Sequence, residues 1–187
     1  MWTAVARPEP AYPPVVMGGK RRQTSTRSSP PAVQATAVPV IDAFTGPYFF
    51  LSNFAESPVD FDGAVYPTVE HAFAAAKTLD PAERELIRLA PRPGDAKRLG
   101  RQVVLRPGWD DLRVEVMRRL LARKFAPGTE LAARLLATGD ARLVEGNTWG
   151  DRFWGVCRGQ GWNQLGQLLM ERREQLRRGL GAEHPAG

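Results

Sequence analysis

Glu70, Ala74 and Lys77 recur at steps of four and three within the stretch from Thr68 to Thr78. On a helix this spacing places all three on one face, with the carboxylate and the amine ~10 Å apart along the axis and a single methyl group between them. A lysine amine that loses its proton on desolvation attacks an electrophilic carbon, and a neighbouring carboxylate moves protons for it. Residue usage sharpens this reading, because the chain has four lysines against 22 arginines. Surface cations here are ordinarily arginine, which stays protonated, so Lys77 is a candidate nucleophile. The competing reading makes Glu70 a first-turn acid, Lys77 a last-turn cation and the alanines a packing surface.

A second cluster, "EGNTWGDRFWGV", brings Glu145, Asn147, Trp149, Asp151, Trp154 and Gly155 within twelve residues. Tryptophans beside a carboxylate suit a pocket that stacks a planar base and holds an acid near it. An aromatic hairpin filling the core would use the same residues. Other motifs fail. "RGQGWNQLG" has Gln164 where a dinucleotide loop needs a small residue, and "MGGK" has Pro14 where a phosphate loop needs glycine. Ser52 and His71 lack a nucleophile-elbow pattern.

The elements that must position these residues follow from pattern and caps. Asp62-Gly63 between "VDF" and "AVY" predicts a hairpin. Helices are expected from Thr68 to Thr78 and from Pro81 with Asp80 as cap and Glu83 as capping-box partner, then over "WDDLRVEVMRRLLARKF" and "TELAARLLATG". A short strand at "ARLVEG", an aromatic loop and a last helix from Asn163 to about Arg178 complete the chain. The order predicts an α+β fold, helix-dominant, as one compact domain over residues 41–180 with a short flexible C-terminus at 181–187. Residues 1–40 carry seven of the sixteen prolines and a "KRRQTSTRSSPP" run, and read as a disordered basic tail.

Composition excludes several classes. No apolar run approaches the ~20 residues of a membrane span, and one cysteine, Cys157, rules out an internal disulfide framework. With His71 and His184 the only histidines, no soft-ligand zinc site is expected, and a reducing cytoplasmic location is. The net charge of +6 divides into +4 over residues 1–40 and +2 over the rest, so bulk charge does not drive the domain onto a polyphosphate.

The blocks "FLSNF", "SPVDFDGAVYPTVEHAFAAAKT", "RLGRQVVLRPGWDDLRVEVMRRLLARKF", "LLATGDARLVEGNTWGDRFWGV" and "WNQLGQLLMERREQL" together resemble the NADAR, or YbiA-like, N-glycosidase family from about Ile41 to Leu180. The resemblance implies hydrolysis of a bond between ribose C1 and a nitrogen. It implies substrates among phosphoribosylamine intermediates of riboflavin synthesis or ADP-ribosylated guanine, free or in modified nucleic acid, with no metal, no redox cofactor and no membrane partner. Carried over by position, Glu70 is the acid of the "EH" pair, Lys77 the lysine closing its helix, and Asp151 and Trp154 the "D..WG" element. Trp109, Arg101 of "LGR" and Asn53 of "LSNF" are carried over as substrate contacts, joined by Asn147 and Trp149 from the aromatic cluster. The chain departs from many relatives at Gly108 and at Ala75-Ala76, and the alanines put a substrate-contacting amide in doubt more than the reaction. Lys77 attacking C1 to form an imine, with Glu70 or Asp151 carrying protons, fits both lines of reading. Two other classes remain: a catalytically inactive module binding ADP-ribose or a guanine nucleotide, and a nucleic-acid binder acting through the basic tail.

Overall fold

A computed structural model describes residues 38–182. The expected tail lies outside them up to residue 37, and residues 183–187 lie outside them as well. The described part is a helix-rich α+β fold. β1 (Val40–Ile41) begins one residue inside the stretch assigned to the tail, and a 3-10 helix at Gly46–Leu51 follows it. The Asp62-Gly63 turn joins β2 (Val59–Phe61) to β3 (Ala64–Tyr66) in the predicted antiparallel hairpin, with Phe61 opposite Ala64. Both turn residues take positive φ, which the Asp-Gly pair tolerates.

Helices α1 (Val69–Ala75), α2 (Pro81–Arg88), α3 (Pro93–Leu99), α4 (Trp109–Lys124), α5 (Glu130–Ala137) and α6 (Gln164–Ala182) supply most of the structure. Between α5 and α6 run β4 (Arg142–Leu143), β5 (Gly146–Asn147) and β6 (Val156–Cys157). β1 pairs with β4 and β5 with β6, both in parallel, so the described strands form three separate two-stranded pieces. α6 runs past the expected Arg178 to Ala182, into the segment read as flexible.

α1 sits at the centre, every residue from Val69 to Ala75 being buried, and it packs on α2, α3 and α4. Its alanines make this possible. A β-carbon built on Gly100 would lie 2.8 Å from Ala74 Cβ, so the backbone at the end of α3 rests directly on Ala74. The gap expected between Glu70 and Lys77 is therefore filled by chain and not open to a small group. α1 also ends earlier than predicted: Ala76 caps it, and Lys77 lies in the turn beyond, its carbonyl accepting from Arg106 N at 2.7 Å.

Thr68 caps α1, its Oγ1 accepting from His71 N at 3.3 Å and pairing with His71 Nδ1 at 2.8 Å, while His71 Nε2 meets the Ala90 carbonyl at 3.0 Å. The histidine is thereby committed to tying α1 to the end of α2. Asp80 caps α2 as predicted, accepting from Ala82 N and Glu83 N. Glu83 differs from expectation, because it accepts from Thr78 Oγ1, and Thr78 Oγ1 in turn accepts Asp80 N. The hydroxyl stands between the two halves of the capping box.

Candidate active site

Four segments meet around a cavity of about 650 Å³. The turn after the 3-10 helix brings Ser52, Asn53 and Phe54; α1 brings Glu70; α3 and the residues after it bring Lys97 and Arg101; the loop between β4 and β6 brings Glu145, Trp149, Asp151 and Trp154. A groove of about 600 Å³ between α5 and α6 is comparable in size. It is lined mainly by apolar and small residues with Arg172 and Gln175, and holds no acid or lysine. The chemistry therefore belongs to the first cavity.

Each wall is fixed by hydrogen bonds that the local sequence supplies. Glu70 N donates to the Asn53 carbonyl at 3.0 Å, coupling the first turn of α1 to the Asn53 turn. Lys124 Nζ donates to the Ser52 carbonyl at 2.7 Å, and Asn53 Nδ2 reaches Met117 Sδ at 3.6 Å. The amide nitrogen of Asn53 is thus anchored on α4, while its Oδ1 is enclosed with no partner. Asp151 Oδ1 accepts from Phe153 N at 3.0 Å and Trp154 N at 2.8 Å, a local turn that aims Trp154 inward. Asn147 spans this loop, its Oδ1 accepting from Asp151 N at 3.1 Å and its Nδ2 donating to the Asp151 carbonyl at 2.7 Å.

Of the residues singled out from sequence, Asn53, Glu70, Arg101, Trp149, Asp151 and Trp154 line the cavity. Asn147, Trp109 and Lys77 are not part of its wall. Asn147 braces the loop. Trp109 is buried and packs on Phe73 at 5.2 Å between ring centres, and Phe73 meets Trp154 edge-on at 5.3 Å, so Trp109 supports the wall from behind. Lys77 Nζ stands 5.7 Å from the Phe73 ring centre.

Electrostatics ties Lys77 to the site. Burial lowers its pKa below the ordinary lysine range; Glu70 opposes this, and Arg101 and Lys97 reinforce it. Glu70 is pushed upward by burial, against the cations Lys97, Lys77 and Arg101 and with some help from Asp151. Both members of the pair are drawn toward their neutral forms, the requirement for an amine that attacks and an acid that donates.

Two residues escaped the sequence reading. Lys97, one of the few lysines, lines the cavity with its Nζ 5.6 Å from the Phe54 ring centre and 6.0 Å from that of Trp149. The scarcity argument that selected Lys77 applied to it equally, but α3 is a seven-residue helix with Pro and Gly at its start and carries no readable period. Glu145 was seen as part of a cluster and given no role. Among the described residues, no group of histidine, cysteine or carboxylate side chains has the geometry to hold a metal ion. None of the described helices is long and apolar enough to cross a membrane.

The NADAR domain model matches residues 42–177 of this chain. The chain is 48% identical over 132 residues to the N-glycosidase YbiA of Escherichia coli (strain K12), covering 69% of this chain and 82% of that protein. A riboflavin biosynthesis protein of Vibrio vulnificus is 42% identical over 130 residues, which span 68% of this chain and 35% of that longer protein. The NMR structure of the E. coli protein YbiA superposes with a TM-score of 0.70 at 42% identity, covering 79% of this chain and 90% of that one. With the match spanning the helices and loops that build the cavity, the chain belongs to the NADAR domain family.

Proposed function

We propose that this chain is an N-glycosidase that hydrolyses the bond between ribose C1 and an exocyclic nitrogen of a planar base. The observation that carries the proposal is the placement of buried Glu70 on the wall of a cavity with cationic and aromatic sides, electrostatically coupled to the half-buried amine of Lys77. The names N-glycosidase and riboflavin biosynthesis protein among relatives support the same reading. The substrate class is a phosphoribosylamino-pyrimidine of riboflavin synthesis or an ADP-ribosylated guanine. Arg101 and Lys97 meet the phosphate and Trp149 stacks on the base.

Lys77, swinging on its flexible side chain from beside Glu70, attacks C1 and forms an imine; Glu70, protonated at the start, gives its proton to the ring oxygen as the sugar opens and then takes the one that the amine loses. Imine chemistry removes the need for a second carboxylate directly behind C1, which a retaining glycosidase requires. The buried, free Cys157 suits a reducing compartment, and the proposed location is the cytoplasm.

Chromatography of the released base tests this on the two substrate classes side by side, with wild type and Lys77→Arg. Wild type releases base from one of them, and borohydride added during turnover leaves a ribosyl adduct on Lys77. Turnover retained by Lys77→Arg, with no adduct, replaces the imine by attack of water assisted by Glu70. Binding without cleavage by folded wild type reduces the protein to a binding module.

A further inference from the structure

Glu145 takes no part in the mechanism above, yet the structure invests heavily in holding it. Its N–H donates to Asn163 Oδ1 at 2.9 Å and its carbonyl accepts from Val156 N at 2.8 Å. Asn163, held at a positive φ of 52°, uses its Nδ2 to reach the Leu143 carbonyl at 2.8 Å. The backbone of Glu145 is thereby fixed between β4, β6 and the start of α6. Room for the carboxyl is made by Gly155, where a β-carbon would come within 2.6 Å of Glu145 Oε2 and 2.7 Å of Asn147 Nδ2.

The carboxyl so placed lines the cavity, and its Oε2 is enclosed with no hydrogen-bond partner. A carboxylate retained to stabilise the fold is ordinarily surrounded by donors; an enclosed oxygen without one favours the neutral acid. The charged groups around it agree. Burial is the main influence, Asp151 and Glu70 also favour the neutral form, Lys97 opposes it, and the pKa stands at about 7.

We propose that Glu145 is the acid that protonates the departing nitrogen and then the base that activates water. This rests on the N-glycosidase reading and assigns a step left open there. The other two carboxylates are otherwise engaged. Glu70 is coupled to Lys77, and Asp151 Oδ1 is taken up by the amides of Phe153 and Trp154. Glu145 interacts with Asp151, Lys97 and Glu70, whereas the charges that act on Lys77 are Glu70, Arg101 and Lys97. Glu70 and Lys97 thus act on both the amine that attacks C1 and the acid that meets the leaving group.

As the sugar opens, the bond from C1 to the ring oxygen breaks, the lone pair of the substrate nitrogen forms C1=N, and the ring oxygen takes the Glu70 proton. The Lys77 amine then adds to C1, the π pair returns to the substrate nitrogen, and the Glu70 carboxylate takes the proton that the amine loses. In this adduct the C1–nitrogen bond of the substrate breaks and its electron pair stays on the departing nitrogen. That nitrogen takes the proton from the Glu145 carboxyl, while the Lys77 lone pair closes the imine. The Glu145 carboxylate then removes a proton from water as its oxygen bonds to C1, and collapse of this adduct frees Lys77. The net change is glycosylamine plus water to free amine plus ribose, and Glu145 ends protonated as it began.

The test measures kcat and KM from about pH 5.5 to 9 for wild type, Glu145→Gln and Glu145→Asp, on a phosphoribosylamino-pyrimidine and on ADP-ribosylated guanosine. In wild type kcat falls as pH rises through about 7. Glu145→Gln lowers kcat by about 100-fold or more, keeps KM within about threefold, and loses this alkaline fall. Glu145→Asp, which retains a carboxylic acid, retains an alkaline fall. A Glu145→Gln enzyme with kcat within about threefold of wild type overturns the proposal, as does one that is slow yet keeps the wild-type fall. Should Glu145→Gln fail to fold, the other two profiles decide: an alkaline fall in both supports the proposal, and a flat wild-type profile overturns it. Folded wild type inert on both substrates removes the N-glycosidase reading and this one with it; active wild type with an unaffected Glu145→Gln removes this one alone.

Discussion

Replacing Glu145 by Gln tests the physics of the site without any substrate. The glutamine keeps the shape and removes the titration. In the folded protein the Glu145 carboxyl is raised from an ordinary 4.5 to about 7, chiefly by burial and next by Asp151. A folded-state pKa above the unfolded one means that the folded form holds its proton more tightly. The wild type therefore has the full benefit below the unfolded value and loses it as pH climbs through about 7. Taken in full the difference is worth about 3 kcal/mol, and partial solvation through the cavity brings it to about 2–3 kcal/mol. Urea unfolding of both proteins, followed by circular dichroism at a series of pH values, isolates this group and its coupling to Asp151, Lys97 and Glu70, because titrations that do not couple to it cancel in the difference. Near pH 4.5 the two curves lie close together, and by pH 8.5 the Gln variant is the more stable by about 2–3 kcal/mol, a midpoint shift of about 1 M for a slope of about 2 kcal/mol/M. A difference that stays within about 0.5 kcal/mol across the range refutes the claim that Glu145 is held as a neutral acid.

Gly155→Ala drives a β-carbon against the Glu145 carbonyl oxygen first, and against Glu145 Oε2 and Asn147 Nδ2. It is expected to cost about 1–3 kcal/mol in thermal or urea unfolding and to lower kcat by displacing the carboxyl. Trp149 is 64% exposed where it lines the cavity, so Trp149→Ala leaves the melting temperature nearly unchanged and raises KM, which steady-state kinetics reads directly. Lys124 is depressed from 10.5 to about 7 by burial, so wild type loses stability as pH falls toward 7, where Lys124→Met does not. Unfolding of both proteins between pH 7 and 10 shows wild type gaining on the variant by about 3–4 kcal/mol.

The most legible elements were those whose signals are local. The Asp62-Gly63 hairpin, the Asp80 cap with Pro81 behind it, and the long apolar period of α4 were all visible, because turn geometry, capping and burial of one helix face act within a few residues. The 3-10 helix at Gly46–Leu51, α3 and the pairs β1–β4 and β5–β6 were not visible. Strands of two residues carry no alternation, and their partners lie far along the chain. The length of α1 was overestimated because the alanine run is helix-favouring in itself. The turn at Ala76–Thr78 is instead secured by Arg106, whose amide takes the Lys77 carbonyl from a distant loop.

The sequence alone determined which chemical groups this protein possesses: an acid and a lysine seven residues apart, an aspartate between tryptophans, and an ordered set of blocks sufficient to name the family. It also identified six of the residues that line the cavity: Glu70 from helical spacing, Trp149, Asp151 and Trp154 from the cluster of aromatic and acidic residues between glycines, and Asn53 and Arg101 from the family resemblance. Tertiary structure decided how those groups are employed. It closed the space beside Ala74 with Gly100, turned Trp109 and Asn147 into supports, and brought Lys97 and Glu145 to the wall. The physical reason is that a side chain's type is written at one position, whereas its solvation and its partners come from segments far away in the chain. Only packing could leave Glu145 enclosed beside Asp151 with no donor, and that enclosure holds its proton near neutral pH.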